Sequence, residues 1–375
     1  MIYFHIPFCK QACHYCDFHF STSMQYKEEM LQAMHKELEL RSNYLENKSI
    51  DSIYFGGGTP SVLTADEIAR LIGKVSELFE INPQAEITLE ANPDDLNQQQ
   101  VNAFRQTPIN RFSIGIQSFY EEDLRWMNRA HNAEEAKSAI MRVQDAGFEN
   151  ITCDLIYGYP LLTDQKWTAN MQQLVDFQVP HISSYAMTVE KKTALQHMIS
   201  KGKTAPMNES QSAEQMLMLI DLLTTKGYEQ YEISNFAKPG KHAIHNSNYW
   251  RGKHYMGIGP SAHSFNGHSR SWNIANNANY INALFKNELA LETEELSTDN
   301  RFNEYVMTSL RTKWGVDYEF IKNNFDSDYL SYLTKEAKTY LSNQELTLKE
   351  ERYLVLTDAG KLLADQIASD LFIVS

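Results

Sequence analysis

Three of the four cysteines lie close together near the start of the sequence, at Cys9, Cys13 and Cys16. Thiols at this spacing can form disulfides, bind a metal or provide a nucleophile. The first residues lack the basic segment and apolar stretch of a secretory signal, so we expect a cytoplasmic protein. In that compartment, clustered thiols are more often metal ligands than disulfides. The cysteines therefore predict a metal site.

The spacing of the three cysteines leaves two kinds of metal site open. A structural zinc site normally has four protein ligands, and His5, His14 or His19 could complete one here. The remaining cysteine, Cys153, lies within a predicted strand, and we expect it to be a small buried residue. Alternatively, three thiolates in one loop can hold three irons of a cubane cluster, which leaves the fourth iron open for chemistry.

A second set of polar residues lies where predicted strands end. Glu90 ends one strand, Gln117 ends the next, and Asp154 lies near the end of another, while a GGGT turn at 56–59 closes the strand before them. In parallel βα architectures, the carboxyl ends of the strands share one face of the sheet. Each acid alone could simply cap the helix that follows it, but the whole set favours a ligand site on that face.

The elements that must position these residues alternate along the first two thirds of the chain. Short β-rich runs are followed by amphipathic stretches, such as the helix after 64, with Thr64 as its N-cap and Glu67 three residues later. This pattern predicts a parallel sheet that is either doubly wound or closed into a barrel. From about 297 the pattern changes to helices and a short hairpin, which indicates a separate module similar to a winged helix.

The charge of the chain limits its partners. The formal net charge is −14, which argues against a nucleic-acid partner because phosphate binding needs a basic surface. The same acidity argues that the C-terminal module does not bind DNA. The sequence contains no apolar run near the roughly 20 residues needed to cross a bilayer.

Taken together, the motifs resemble a known family. A CxxxCxxC motif after the first strand, followed by GGGTP, is similar to the radical S-adenosylmethionine (SAM) superfamily. The resemblance implies that Cys9, Cys13 and Cys16 bind a [4Fe-4S] cluster whose open iron chelates SAM. It also implies SAM contacts at the cluster from Tyr3, Gly57 and Glu90. Further positions match a second SAM site, namely Tyr15, Gly58, Thr59, Gln117, Arg129 and Asp154.

Within that superfamily, segments along nearly the whole chain resemble the oxygen-independent coproporphyrinogen III dehydrogenase group. They include YFGGGTPS, EANP, GIQSF, LIYGYP and HNSNYW. The group has a decarboxylating branch, HemN, and a branch regarded as haem chaperones, HemW. The decarboxylase motif has another cysteine two residues after the third, where this chain has Phe18. The decarboxylases also have a long segment before the first strand, which we expect this protein to lack.

The segment HNSNYW at 245–250 resembles the HNxxYW signature of the HemW branch, where the histidine is thought to take part in haem binding. A neutral histidine is a suitable axial ligand for haem iron. On the residues alone, His245 could equally be a hydrogen-bonded histidine in a loop, beside Asn246 and Tyr249.

The first interpretation is therefore a HemW-like haem chaperone that uses a [4Fe-4S] cluster, SAM and haem. The resemblance implies as partners a haem or porphyrin ligand, an apo-haemoprotein acceptor and an electron donor, with peripheral membrane association through the acceptor. The alternative is an oxygen-independent coproporphyrinogen III dehydrogenase, which would oxidatively decarboxylate two propionates. A structural zinc protein without radical chemistry is a third, disfavoured reading.

The resemblance also implies an architecture. We expect an α/β fold with a partial (β/α)6 TIM-type barrel over residues 1–235. Residues 236–296 are expected to form a loop-rich extension over the barrel mouth. Residues 297–375 are expected to form a smaller C-terminal helical or winged-helix-like domain.

Overall fold

A computed structural model describes residues 1–374 of the chain. These residues form fifteen strands and sixteen helices, together with short 3-10 turns at Pro60–Val62 and Pro93–Asp95. The strands are β1 Ile2–Ile6, β2 Ser49–Gly57, β3 Glu80–Ala91, β4 Arg111–Gln117, β5 Ile151–Tyr157, β6 His181–Ala186, β7 Glu229–Glu232, β8 Asn235–Ala237, β9 Met256–Ile258, β10 His263–Phe265, β11 Ser269–Asn273, β12 Leu291–Glu295, β13 Val316–Asp317, β14 Leu346–Lys349 and β15 Tyr353–Leu356. The helices are α1 Lys27–Leu40, α2 Ala65–Leu78, α3 Gln98–Phe104, α4 Glu121–Trp126, α5 Ala133–Asp145, α6 Asp164–Asp176, α7 Ala194–Ser200, α8 Glu209–Thr225, α9 Ile244–Trp250, α10 Asn277–Phe285, α11 Thr298–Leu310, α12 Tyr318–Asn324, α13 Ser327–Glu336, α14 Lys338–Ser342, α15 Asp358–Lys361 and α16 Ala364–Asp370.

The main sheet has nine strands in the order β7-β8-β6-β5-β4-β3-β2-β1-β9. Strands β1 to β6 are parallel neighbours in chain order. β9 pairs in parallel with the outer edge of β1, and β8 pairs antiparallel with β6, so β1 and β6 do not pair with each other. The predicted α/β fold with an open six-stranded parallel unit is thus confirmed. We call the end of the sheet formed by the carboxyl ends of β1–β6 the carboxyl edge.

Strand alternation gives the parallel unit two different faces. One face is apolar and belongs to the main hydrophobic core, in which the fully buried rings of Phe4 and Phe55 stack with centroids 4.8 Å apart. The other face, the inner face, carries buried polar side chains. Thr152 Oγ1, for example, contacts Arg111 Nη2 and lies 3.0 Å from His181 Nδ1. The buried charged side chains of the parallel strands, such as Glu86 and Arg111, therefore lie on the inner face.

Residues 236–296 differ from the loop-rich extension that the sequence predicts. They form β9, which extends the main sheet, a three-stranded antiparallel sheet of β10, β11 and β12, and the helices α9 and α10. α9 packs against β2, and α10 packs against α1. These elements are short, and three-residue strands carry too little periodicity to be recognised in a sequence. The domain boundaries at 235/236 and 296/297 stay predictions.

The C-terminal residues have a hydrophobic core of their own. β13, β15 and β14 form a small antiparallel sheet, and helices α11 to α16 surround it. The core includes Phe302, Leu333, Leu354 and Ile367, all fully buried. Across residues 1–374, no helix combines the length and apolar character that crossing a membrane requires.

Candidate cofactor site

The cysteine loop leaves β1 at the carboxyl edge and is fastened to the glycine turn after β2. Gly58 N donates to Ile6 O at 2.9 Å, and Thr59 N donates to Phe8 O at 2.7 Å. A Cβ atom at Gly58 would lie only 2.7 Å from Phe8 O, so this close approach requires glycine. The GGGT turn therefore holds the cysteine loop against the end of the sheet.

All four cysteines carry free thiols. Thr59 Oγ1 donates to Cys9 Sγ at 3.4 Å, and Arg129 Nη1 donates to Cys13 Sγ at the same distance. Burial raises the pKa of the Cys16 thiol to about 12 and also raises the pKa of Cys9. A bound cation, as a metal centre would provide, would favour the thiolate forms of these groups.

The three histidines near the cysteines are engaged elsewhere. His5 Nε2 lies 2.8 Å from His19 O, and His14 Nδ1 lies 2.8 Å from Trp126 O. His19 Nε2 lies 2.7 Å from Asn277 Oδ1. Among residues 1–374, no three His, Cys, Asp or Glu side chains converge closely enough to hold a single metal ion. The geometry therefore does not assemble the zinc site that the sequence leaves open.

Two carboxyl groups lie on the inner face beside this loop. Glu90 accepts hydrogen bonds from Tyr54 OH at 2.7 Å and from the Gly57 N–H. Burial raises the pKa of Glu90 to about 7, and the nearby Asp154 adds to the effect. Burial likewise raises the pKa of Asp154 to about 6. A cationic group in this space would favour the ionised form of both acids.

Tyr3 belongs to the same cluster. Its ring lies 6.1 Å from that of Tyr54, in a stacked arrangement, and its hydroxyl lies 3.3 Å from His5 Nδ1. Burial and the neighbouring Glu90 raise its pKa well above the ordinary range, so Tyr3 is a neutral hydrogen-bonding group.

Arg129 connects the cysteine loop to the ends of β3 and β4. Its Nη2 donates to Asn92 Oδ1 at 2.7 Å and to Gly115 O at 2.9 Å. Its Nη1 lies 3.4 Å from Tyr15 OH as well as from Cys13 Sγ. Burial opposes the guanidinium charge, but Tyr15 and Cys13 hold the pKa of Arg129 above its ordinary range. The Arg129 guanidinium is therefore protonated at any physiological pH.

Two buried polar atoms beside Arg129 have no hydrogen-bond partner among the described residues. They are Gln117 Oε1 and the Nε of Arg129 itself. Gln117 also has a positive φ of 64°, which is uncommon for a residue other than glycine. Buried polar groups are nearly always paired, and strained backbone tends to occur at ligand sites. Both observations favour a polar ligand at this place.

The structure thus gathers twelve of the thirteen predicted site residues at the carboxyl edge and on the inner face next to it. They are Tyr3, Cys9, Cys13, Tyr15, Cys16, Gly57, Gly58, Thr59, Glu90, Gln117, Arg129 and Asp154. The sequence analysis missed Tyr54 and Asn92, which orient Glu90 and Arg129. Tyr54 lies two residues before the glycine turn, so strand alternation could have placed it on the inner face.

His245 is the predicted site residue that lies elsewhere. Its Nδ1 lies 2.9 Å from Ser52 Oγ, and its ring lies 5.1 Å from that of Tyr54. Ser52 precedes Gly57, the end of β2, by five residues, or roughly 16 Å along the strand. The His245 side chain therefore lies against the inner face, beside the amino-terminal half of β2 and next to Tyr54, the partner of Glu90.

The surroundings of His245 are those of a structural residue. The backbone amides of Ile244 and His245 donate to the carboxylate of Glu86 at 2.8 and 2.9 Å, which fastens α9 to β3. The residue is only 8% exposed, and burial lowers its pKa to about 3. Ser52 thus occupies the Nδ1 atom of the imidazole, and the Tyr54 ring lies beside it. The observed geometry fits a hydrogen-bonded core histidine, and haem ligation by His245 stays a prediction.

Comparisons with known proteins agree with the motifs. The family model for the radical SAM superfamily matches residues 3–174, and that for the HemN C-terminal domain matches residues 296–363. A protein of Lactococcus lactis named "Heme chaperone HemW" is 32% identical, over 97% of this chain and 95% of its own length. A protein of Bacillus subtilis with the same name is 30% identical, over 97% of each chain. The solved structure of the coproporphyrinogen III oxidase HemN from Escherichia coli shares the fold, with a TM-score of 0.85 at 24% identity, over 99% of this chain and 89% of that one.

Proposed function

The chain belongs to the HemW family of the radical SAM superfamily, and we propose that it is a haem chaperone that delivers haem to an apo-haemoprotein. The observation that carries this proposal is the similarity along nearly the full length to relatives named as haem chaperones. Phe18 supports the same choice, because the decarboxylating branch has a cysteine at that position.

The proposal assigns the [4Fe-4S] cluster to Cys9, Cys13 and Cys16. Three thiols in one loop fit this cluster, and the two donors to sulfur, Thr59 Oγ1 and Arg129 Nη1, favour the thiolate forms. When bound, the cluster supplies an electron and an iron with an open coordination position. The protein's own part is to hold the loop rigid through the GGGT turn and to stabilise the negative charge with Arg129.

SAM is assigned to the carboxyl edge on the same basis. Glu90 would accept hydrogen bonds from an amino group, with Tyr3 and the backbone of Gly57 beside it. A second SAM molecule would find hydrogen-bonding partners around Arg129, whose guanidinium can bind a carboxylate. Tyr15, Gly58, Thr59, Gln117 and Asp154 complete that second set. The unpaired Gln117 Oε1 and Arg129 Nε support the presence of a polar ligand.

We propose that the protein binds haem through a ligand other than His245. The ring is held by Ser52 and Tyr54, so His245 instead positions the inner face: its packing supports Tyr54, which donates to Glu90. This role explains the motif without requiring haem at the amino-terminal half of the sheet.

Oxygen-independent coproporphyrinogen III dehydrogenase activity is the second candidate function. The fold shared with the Escherichia coli enzyme favours it. Phe18, 65% exposed in the place of a cysteine, is the observation against it.

Haem transfer tests the proposal. The reconstituted protein is loaded with haemin, freed of excess and mixed with an apo-b-type haemoprotein, and the holo spectrum of the acceptor is followed. We expect transfer faster than from a haem-loaded carrier such as serum albumin at equal haem concentration. Transfer no faster than from albumin would contradict a chaperone function.

A further inference from the structure

Residues 190–206 form a basic patch on an acidic protein. The segment contains four lysines, Lys191, Lys192, Lys201 and Lys203, but a single acidic residue, Glu190. All four lysines are exposed, and among residues 1–374 none of their ammonium groups forms a salt bridge. The local charge of about +3 contrasts with the formal net charge of −14 for the whole chain. We call these four residues the lysine patch.

The lysine patch is attached to the loop that carries the cysteines. Leu195, the second residue of α7, donates its N–H to His14 O at 2.8 Å. His14 lies between Cys13 and Cys16 in the sequence and is adjacent to Cys13. Because consecutive Cα atoms are about 3.8 Å apart, the base of α7 lies within roughly 10 Å of the Cys13 backbone.

A second connection joins the other end of the segment to the same histidine. Trp126 Nε1 donates to Thr204 Oγ1 at 3.2 Å, and Trp126 O lies 2.8 Å from His14 Nδ1. Thr204 follows Lys203 directly. The segment that carries the lysine patch is therefore connected twice to His14, directly through Leu195 and indirectly through Thr204 and Trp126. These contacts give a short and rigid route from the surface to the cysteines.

We infer that the lysine patch is the docking surface for a small acidic protein that donates one electron to the cluster. The inference rests on the proposed function, because it requires a reducible centre at Cys9, Cys13 and Cys16. In the step itself, one electron leaves the reduced donor, which is oxidised by one electron, and the cluster is reduced by one. No bond forms or breaks.

Charge complementarity favours an acidic electron-donor protein as the partner that binds the lysine patch. A chain with a net charge of −14 repels acidic proteins over most of its surface, so a productive approach needs a local basic region. Opposite charges at an encounter surface increase the association rate and orient the partner. α7 is seven residues long, or about 10 Å, so the lysines at its two ends span a width suited to a small protein. An anionic membrane is the competing occupant, and the test separates the two.

The test uses charge reversal at the end of the lysine patch that follows α7. The variant Lys201→Glu/Lys203→Glu is compared with Lys253→Glu/Lys286→Glu, which changes two exposed lysines outside the patch and gives the same net charge. The probe is flavodoxin, an acidic one-electron carrier. Two quantities are measured at low and at high salt: the Kd of flavodoxin for each protein, and the rate at which reduced flavodoxin reduces the reconstituted cluster.

We expect Lys201→Glu/Lys203→Glu to weaken binding and slow reduction by roughly tenfold at low salt, with a smaller effect at high salt. The control variant should change both quantities by less than about twofold. Reduction by photoreduced deazaflavin, a small molecule, should be equal in all three proteins. That result shows an intact cluster, so failure of the docking inference is distinguishable from failure of the cluster assignment.

Three outcomes would overturn the inference. Equal losses in both variants would show a general charge effect, and no loss in either would show that the donor docks elsewhere. Loss of binding to phosphatidylglycerol vesicles, with unchanged flavodoxin kinetics, would assign the lysine patch to a membrane surface. If Lys201→Glu/Lys203→Glu fails to fold, Lys201→Gln/Lys203→Gln replaces it, with an expected loss of roughly threefold.

Discussion

Replacing His245 with alanine distinguishes a core histidine from a haem ligand most clearly. Ser52 is fully buried, so the loss of the His245 ring leaves its hydroxyl without a partner, at a cost of roughly 1–3 kcal/mol. Losing the ring contact with Tyr54 adds about 0.5–1.5 kcal/mol. We therefore expect His245→Ala to lower the free energy of unfolding by roughly 2–4 kcal/mol.

The pH dependence of this loss provides an internal check. His245 has a pKa of about 3 in the folded chain because it is buried, whereas an unfolded histidine has a pKa of about 6.5. The unfolded chain therefore binds the extra proton as the pH falls below 6.5, and the folded chain does not. His245 thus destabilises the wild-type protein by about 2 kcal/mol at pH 5 relative to pH 7. The difference in stability between wild type and His245→Ala should shrink by that amount.

The assay is urea denaturation of both proteins at pH 7 and at pH 5, with haemin titration of the folded proteins at pH 7. His268→Ala, at an exposed histidine, is the matched control and should change stability by less than about 0.5 kcal/mol. We expect His245→Ala to bind haem with wild-type affinity. Unchanged stability together with lost haem binding would refute the structural role and return His245 to the haem site.

Other changes at the carboxyl edge have separable effects. Cys13→Ala should abolish the visible absorbance of the reconstituted cluster and the binding of about four irons per chain. The control variant Cys153→Ala should keep both properties, as measured by absorbance and by iron and sulfide analysis. SAM affinity should increase as the pH rises towards 7, by up to about tenfold per pH unit, because the carboxyl of Glu90, with a pKa of about 7, must ionise to bind a cation. Glu90→Gln should remove this dependence in a titration from pH 6 to 8. Arg129→Lys loses the forked donation to Asn92 and Gly115, so SAM affinity measured calorimetrically should fall roughly tenfold; an unchanged affinity would contradict the assignment of Arg129.

Local patterns predicted much of the carboxyl edge. Thr64 and Glu67 form the predicted capping box, with Glu67 N donating to Thr64 Oγ1 at 3.2 Å and Thr64 N donating to Glu67 Oε2 at 2.7 Å. Glu90 and Asp154 lie near each other because parallel strands bring their carboxyl ends to one edge, so their positions on strands separated by β4 alone indicated a shared site. These inferences needed only strand direction and side-chain alternation.

Long-range contacts could not be read in the same way. α9 is held by Glu86, more than 150 residues earlier, and no local pattern links the two. The placement of His245 follows from that contact rather than from its own motif. β9 is only three residues long, and its pairing with β1 depends on the tertiary fold, so a loop was the natural prediction for that segment.

The central claim is tested by asking what the protein does with each of two tetrapyrroles. The anaerobically reconstituted and reduced protein is incubated with SAM and coproporphyrinogen III, and separately with haemin, and products are followed by liquid chromatography with mass spectrometry. The account predicts stoichiometric retention of haem and no decarboxylated porphyrin product. Formation of protoporphyrinogen would contradict it and would make the protein a decarboxylase despite Phe18.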